Sequence, residues 1–262
     1  MTDSVLYDVD GAVATVTINR PAARNALTAE AKAGLLAALQ AASAAPDVRA
    51  VVLTGAGGAF CAGQDLREHA DLLEAGAAVA LDTVRTHYNP IIEAIAQMPK
   101  PVVAALPGVA AGAGAGLAFA CDFRIAAERA TLLLAFARVG LGADSGTSWT
   151  LQRLVGPARA AELLMLAEPV DAPTALGLGL LTSVVPDSDL AAAAAGLAGR
   201  LAAGPTLAYA AIKEGLRFAA AHGLSDALEK EAELQTRLGD TADHQAATRA
   251  FVARQEPTYL GR

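Results

Sequence analysis

Two glycine-rich stretches, each following an apolar run and opening a helix-forming one, constrain this chain more than any other feature. They read Thr54-Gly-Ala-Gly-Gly-Ala-Phe-Cys-Ala-Gly-Gln-Asp-Leu66 and Pro107-Gly-Val-Ala-Ala-Gly-Ala-Gly-Ala-Gly-Leu117. A helix N-terminus carries unpaired N–H groups and the positive end of the helix dipole. Glycine or alanine lets a ligand approach that backbone. Two such ends brought together can hold an oxygen that is becoming negative, which is an oxyanion hole. The rival is a dinucleotide-binding turn, and it fits poorly. Counted from Gly112, G-x-G-x-x-G needs glycine or alanine where Leu117 stands; counted from Gly55, it needs one where Phe60 stands. Close helix–sheet packing would explain one such segment, but it does not explain a pair.

The rest of the pattern is α/β. Residues 12–18 alternate apolar with small or polar side chains, as a half-buried strand does. Thr28 can cap a helix running to about residue 44, with Leu35, Leu36 and Leu39 inward. Strands are expected at 48–53, 101–106, 123–126, 131–135 and 180–185, and helices from Gln64, over 84–98 and over 111–120. Beyond Pro186 only helices are expected, at about 190–203, 205–221, 225–238 and 240–255. The expected division is a mixed core over 1–190 and a helical region over 191–262.

Composition narrows the partners. The chain is 54% hydrophobic but only 4% aromatic, which suits a tightly packed, helix-rich soluble protein. A net charge of −7 argues against nucleic acid, whose phosphates need a basic stripe. No apolar run reaches the ~18 residues of a membrane span, and the acids in 1–10 do not suit a signal peptide. Cys61 and Cys121 sit among small apolar residues and read as reduced, buried thiols of a cytoplasmic protein. His69, His87, His222 and His244 lack metal-ligand spacing, so no metal is expected.

Four motifs in order carry a resemblance: Asn19-Arg-Pro-Ala-Ala-Arg-Asn-Ala-Leu27, Phe60-Cys-Ala-Gly-Gln-Asp-Leu66, the segment 107–122, and the segment 140–156. Together they resemble the enoyl-CoA hydratase/isomerase (crotonase) family along essentially the whole chain. The resemblance implies a crotonase-like spiral of repeated β/α units with a helical C-terminal trimerisation region, assembled as a homotrimer or a dimer of trimers. It implies an acyl-CoA substrate, with coenzyme A entering as part of the thioester and no prosthetic group. It assigns the backbone N–H groups of Gln64 and Ala113 to the thioester oxygen and the carbonyl of Ala62 to the adenine. Arg24 falls in the loop that passes the CoA phosphates, and Phe251 and Arg254 match positions that reach CoA from a neighbouring subunit.

The two glutamates with which the family's hydratases handle water are replaced by Gly116 and Phe136. The resemblance instead places an acid/base at Asp144, although the proline usual before it is Ala143, preceded by Gly142. Gly116, Phe136 and Trp149 are expected to line the acyl pocket, with Leu141 and Trp149 desolvating the carboxylate. One carboxylate beside an enolate suffices to move a double bond, because no water enters or leaves. The expected activity is therefore an acyl-CoA isomerase that shifts a double bond, or rearranges a ring epoxide. A hydratase and a non-catalytic CoA-binding scaffold are the alternatives.

Overall fold

The structure, a computed structural model, describes residues 4–262. It opens with strands β1 (Val5–Asp10) and β2 (Val13–Ile18), helix α1 (Ala29–Ala44) and strand β3 (Ala50–Gly55). Helices α2 (Leu66–Glu74), α3 (Ala77–Leu81) and α4 (Asn89–Gln97) follow, then β4 (Val102–Leu106), β5 (Ala110–Ala111) and α5 (Ala113–Ala120). Next come β6 (Phe123–Ala127), β7 (Thr131–Leu133), α6 (Thr147–Leu166), β8 (Val170–Asp171), α7 (Ala172–Gly177) and β9 (Ser183–Val185). Helices α8 (Leu190–Ala202), α9 (Thr206–Ala219), α10 (Leu224–Gly239) and α11 (Ala242–Ala253) complete the chain.

Six strands form the main sheet in the order β1-β2-β3-β4-β6-β9, parallel except for the β1–β2 pair. A small second sheet joins β5, β7 and β8. The central strands are apolar on both faces, as a parallel sheet covered by helices requires. On one face Val51, Leu53, Val102, Ala104 and Leu106 pack with Leu35 and Leu39 of α1, Ile91 and Ile95 of α4, and Leu117 of α5. On the other, Ala50, Val52, Val103 and Ala105 meet Leu190, Ala194, Ala198 and Ala202 of α8. The period of two along the strands and of four along α8 is what closes this second layer.

The expected division at residue 190 is therefore not a break in packing, because α8 covers the sheet of the main core. α9 is tied down as well. Lys213 pairs with Asp122 at 2.7 Å and also donates to the carbonyl of Lys100 at 3.1 Å. The chain end folds back: buried Asp243 accepts the N–H groups of Leu260 and Gly261, and Arg49 donates to the carbonyl of Tyr259. Past these anchors the helical region leaves large apolar side chains in the open, among them Ile212, Leu216, Leu224, Phe251 and Val252. Among the described residues no single helix is long and apolar enough to cross a membrane.

Candidate active site

The first glycine-rich segment is shaped by Asn25, which is fully buried at a φ of 60°. Its Nδ2 donates to the carbonyls of Ala56 and Ala59 at 2.9 and 2.8 Å, and its Oδ1 accepts the N–H of Arg20 at 2.8 Å. The chain then runs past 27 as a single bridge: Leu27 N–H donates to the Gly63 carbonyl, and Asp65 N–H to the Leu27 carbonyl. Asp65 caps α2 by accepting the N–H groups of Arg67 and Glu68, while Arg20 pairs with it at 2.9 Å.

The second segment is bonded directly to the first. The Val109 carbonyl accepts from Phe60 and Cys61 N–H, and the Cys61 carbonyl accepts from Ala111 N–H at 2.8 Å. Two glycines permit this approach. At Gly63, with φ of +86°, a Cβ would lie 2.8 Å from the Ala111 oxygen and 3.4 Å from the Ala113 nitrogen; at Gly114 it would collide with the Cys61 carbonyl. The result is that Gln64 N–H and Ala113 N–H, the latter the first residue of α5, come to adjacent positions. Neither has a hydrogen-bond partner among the described residues. Donors of this kind are available to an oxyanion.

Asp144 stands in the turn before α6, where Ser145 and Gly146 take φ values of 51° and 65°. Ser145 Oγ donates to Asp144 Oδ1 at 2.8 Å. Burial pushes the Asp144 carboxyl above the usual range, opposed by that hydrogen bond and by the positive charge of Lys32. A cleft of about 510 Å³ joins Gln64, Ala113 and Asp144, and its walls include Leu66, Leu73, Leu81, Phe136, Val139 and Leu141. Asp144 is the one carboxylate among its described lining residues.

The other expected site residues divide. Ala62 lines the cleft, its N–H donates to the Arg24 carbonyl at 3.0 Å, and its own carbonyl accepts nothing among the described residues. Arg24 is exposed next to it in a left-handed conformation. Phe251 is 84% exposed near the end of α11, and Arg254 is the left-handed cap of that helix. In the single chain neither lines the cleft. Phe136 is in the wall as expected, but Gly116 and Trp149 are not. Gly116 is a packing position under the Asp144 turn, where a Cβ would come within 2.7 Å of Ser145 Cβ and 2.9 Å of Thr147 Oγ1. Trp149 faces outward from α6, with the Arg153 guanidinium 4.0 Å over its ring. Of the two residues expected to desolvate Asp144, only Leu141 lines the cleft with it.

The sequence assigned no site role to Lys32, His69 or Tyr88. Tyr88 and His69 line the cleft, and Lys32 is bonded to its Gln64 wall. A signal existed for Lys32. It lies on the stripe of Leu35 and Leu39, where a charged side chain has to be buried. Among the described residues no group of three or more His, Cys, Asp or Glu side chains could hold a metal.

Two unpaired N–H groups in one apolar cleft with a desolvated carboxylate form the kind of site that can stabilise an oxyanion while a proton moves. The chain belongs to the enoyl-CoA hydratase/isomerase family, whose profile matches residues 8–262, and it has the crotonase fold. It is 41% identical over 260 residues to a Rhodobacter capsulatus protein named "Probable enoyl-CoA hydratase", covering 99% of this chain and 98% of that one. It is 38% identical to the 1,2-epoxyphenylacetyl-CoA isomerase of Escherichia coli over the full length of both. The crystal structure of an enoyl-CoA hydratase/isomerase homologue from Mycobacterium abscessus superposes with a TM-score of 0.94 at 48% identity, covering 98% of this chain and 100% of that one. The family acts on CoA thioesters without a prosthetic group.

Proposed function

We propose that this protein is an acyl-CoA isomerase that moves a double bond in an enoyl-CoA thioester. One observation carries the reading: a single carboxylate, Asp144, faces the cleft that holds the two free donors. The thioester oxygen sits between Gln64 N–H and Ala113 N–H, which stabilise the enolate. Asp144 takes a proton from one carbon and returns it to another. Hydration would need a water to be held and deprotonated while a second proton reaches carbon. At the positions of the hydratase glutamates, Gly116 is filled by packing and Phe136 is an apolar wall. A ring-epoxide thioester, the substrate class in the name of the E. coli relative, is a second candidate for the same chemistry. The CoA moiety would run past Ala62 and Arg24, and Phe251 and Arg254 of a neighbouring copy would complete its site in a trimer or hexamer.

One observation favours a hydratase instead. His69 lines the same cleft, and its Nδ1 is buried without a hydrogen-bond partner among the described residues. It could act as a second acid/base. Supplying 3-enoyl-CoA and 2-enoyl-CoA separately decides between the two readings. Isomerisation should exceed formation of 3-hydroxyacyl-CoA by at least ~10²-fold, the worth of a missing acid/base. Equal rates would establish the hydratase.

A further inference from the structure

Lys32 is 2% exposed on the inner side of α1, yet among the described residues it forms no direct ion pair with a carboxylate. Its Nζ donates to Gln64 Oε1 at 3.0 Å and to Thr83 Oγ1 at 2.6 Å, and lies 5.0 Å from the centroid of the Tyr88 ring. Tyr88 OH donates to the same Gln64 Oε1 at 2.7 Å. Tyr88 reaches that point because residues Val84–Tyr88 form a π-helical turn, a feature often found at functional sites. A buried ammonium is costly, and packing alone would be served as well by methionine. Here it closes a clamp: one amide oxygen, belonging to the residue whose N–H faces the acyl oxygen, accepts from two donors on separate elements.

We propose that Lys32, with Tyr88, is a positioning residue for the reaction: the pair locks the Gln64 side chain, and with it the backbone N–H that meets the thioester oxygen. The inference rests on the isomerase reading. The groups facing this end of the cleft are Lys32 from α1, Asp65, Glu68 and His69 from α2 and its cap, His87 and Tyr88 from the π-turn, and Ser145 beside Asp144 itself. Asp65 is already paired with Arg20, and the Glu68 carboxylate accepts the Ala29 N–H. Burial lowers the Lys32 ammonium, and the charges of Glu68, Asp144 and Asp65 oppose that.

The test compares Lys32→Met, Lys32→Arg and Tyr88→Phe in the full chain. The measurement is turnover of enoyl-CoA, and Lys32→Arg should restore part of what Lys32→Met loses. Lys32→Met should lose at least ~10-fold in kcat with KM within ~3-fold, and Tyr88→Phe should lose kcat less severely. Wild-type kcat in both Lys32→Met and Tyr88→Phe overturns the proposal, as does a loss in Lys32→Met that Lys32→Arg does not restore. Should Lys32→Met fail to fold by circular dichroism, Lys32→Gln carries the same comparison. A wild-type protein inactive on every thioester defeats the isomerase reading; an active wild type matched by both variants defeats the clamp alone.

Discussion

The Cys61 carbonyl accepts the N–H of Ala111 at 2.8 Å, and this bond fixes how far apart the two chain segments bearing Gln64 and Ala113 can lie. The two unpaired N–H groups are thus spaced by backbone pairing and not by side-chain contacts, which is the preorganisation an oxyanion hole requires.

Ala113→Pro should reduce kcat by ~10²- to 10³-fold while the protein stays folded. Ala113 is the first residue of α5, the helical position where proline is best tolerated, so the substitution deletes the donor without breaking the helix. Steady-state kinetics with circular dichroism checks this, and a folded variant with wild-type kcat would remove Ala113 from the site.

Asp144→Asn should lower kcat by ~10²- to 10⁴-fold and at the same time raise thermal stability at neutral pH. The carboxyl is raised in the folded state, so folding favours its protonated form. The stability linked to that preference is fully present below the unfolded-state value, ~3.9, and is lost as pH rises through the folded-state value. At pH 7 the buried carboxylate is a burden that asparagine lifts. Differential scanning calorimetry should show the gain in Tm at pH 7 shrinking as the pH is brought below ~4.

The same displacement governs the rate. As a base, Asp144 works only when ionised, so kcat/KM should climb with pH along an acid limb whose midpoint lies above the ~3.9 of a free aspartate. A limb at or below that value would mean that a different group takes the proton.

In solution the protein should run at three or six times its chain mass by light scattering at micromolar concentration. Ile212, Leu216, Leu224, Phe251 and Val252 are exposed on the helical region, an apolar display that suits a subunit interface. Phe251→Asp should raise KM for the CoA thioester if Phe251 of a neighbouring copy touches CoA; unchanged kinetics would remove it from the CoA site.

The layered fold was legible wherever local chemistry decided the outcome. Thr28 does cap α1, accepting the Ala31 N–H at 3.3 Å, and the alternation over 12–18 is the alternation of buried Ala14, Val16 and Ile18 in β2. Strand β1 was not legible, because it is an edge strand in which only Val5 is buried. The motifs named Gln64, Ala113 and Asp144, and the fold brings these three into one cleft. Lys32 was not named, since its partners Gln64, Thr83 and Tyr88 are distant in sequence and meet it only after folding. Trp149 misled because a large apolar residue near Asp144 suggests a pocket wall, whereas it lies exposed on α6 against Arg153, one turn along the same helix.

The packing of Gly116 under Ser145 and Thr147 ties two distant positions together. A glutamate at 116, where the family resemblance places a hydratase acid, would push into the turn that carries Asp144. That side chain and the present turn claim the same volume, so a carboxylate can be installed at 116 only if the turn at 144–147 is rebuilt with it.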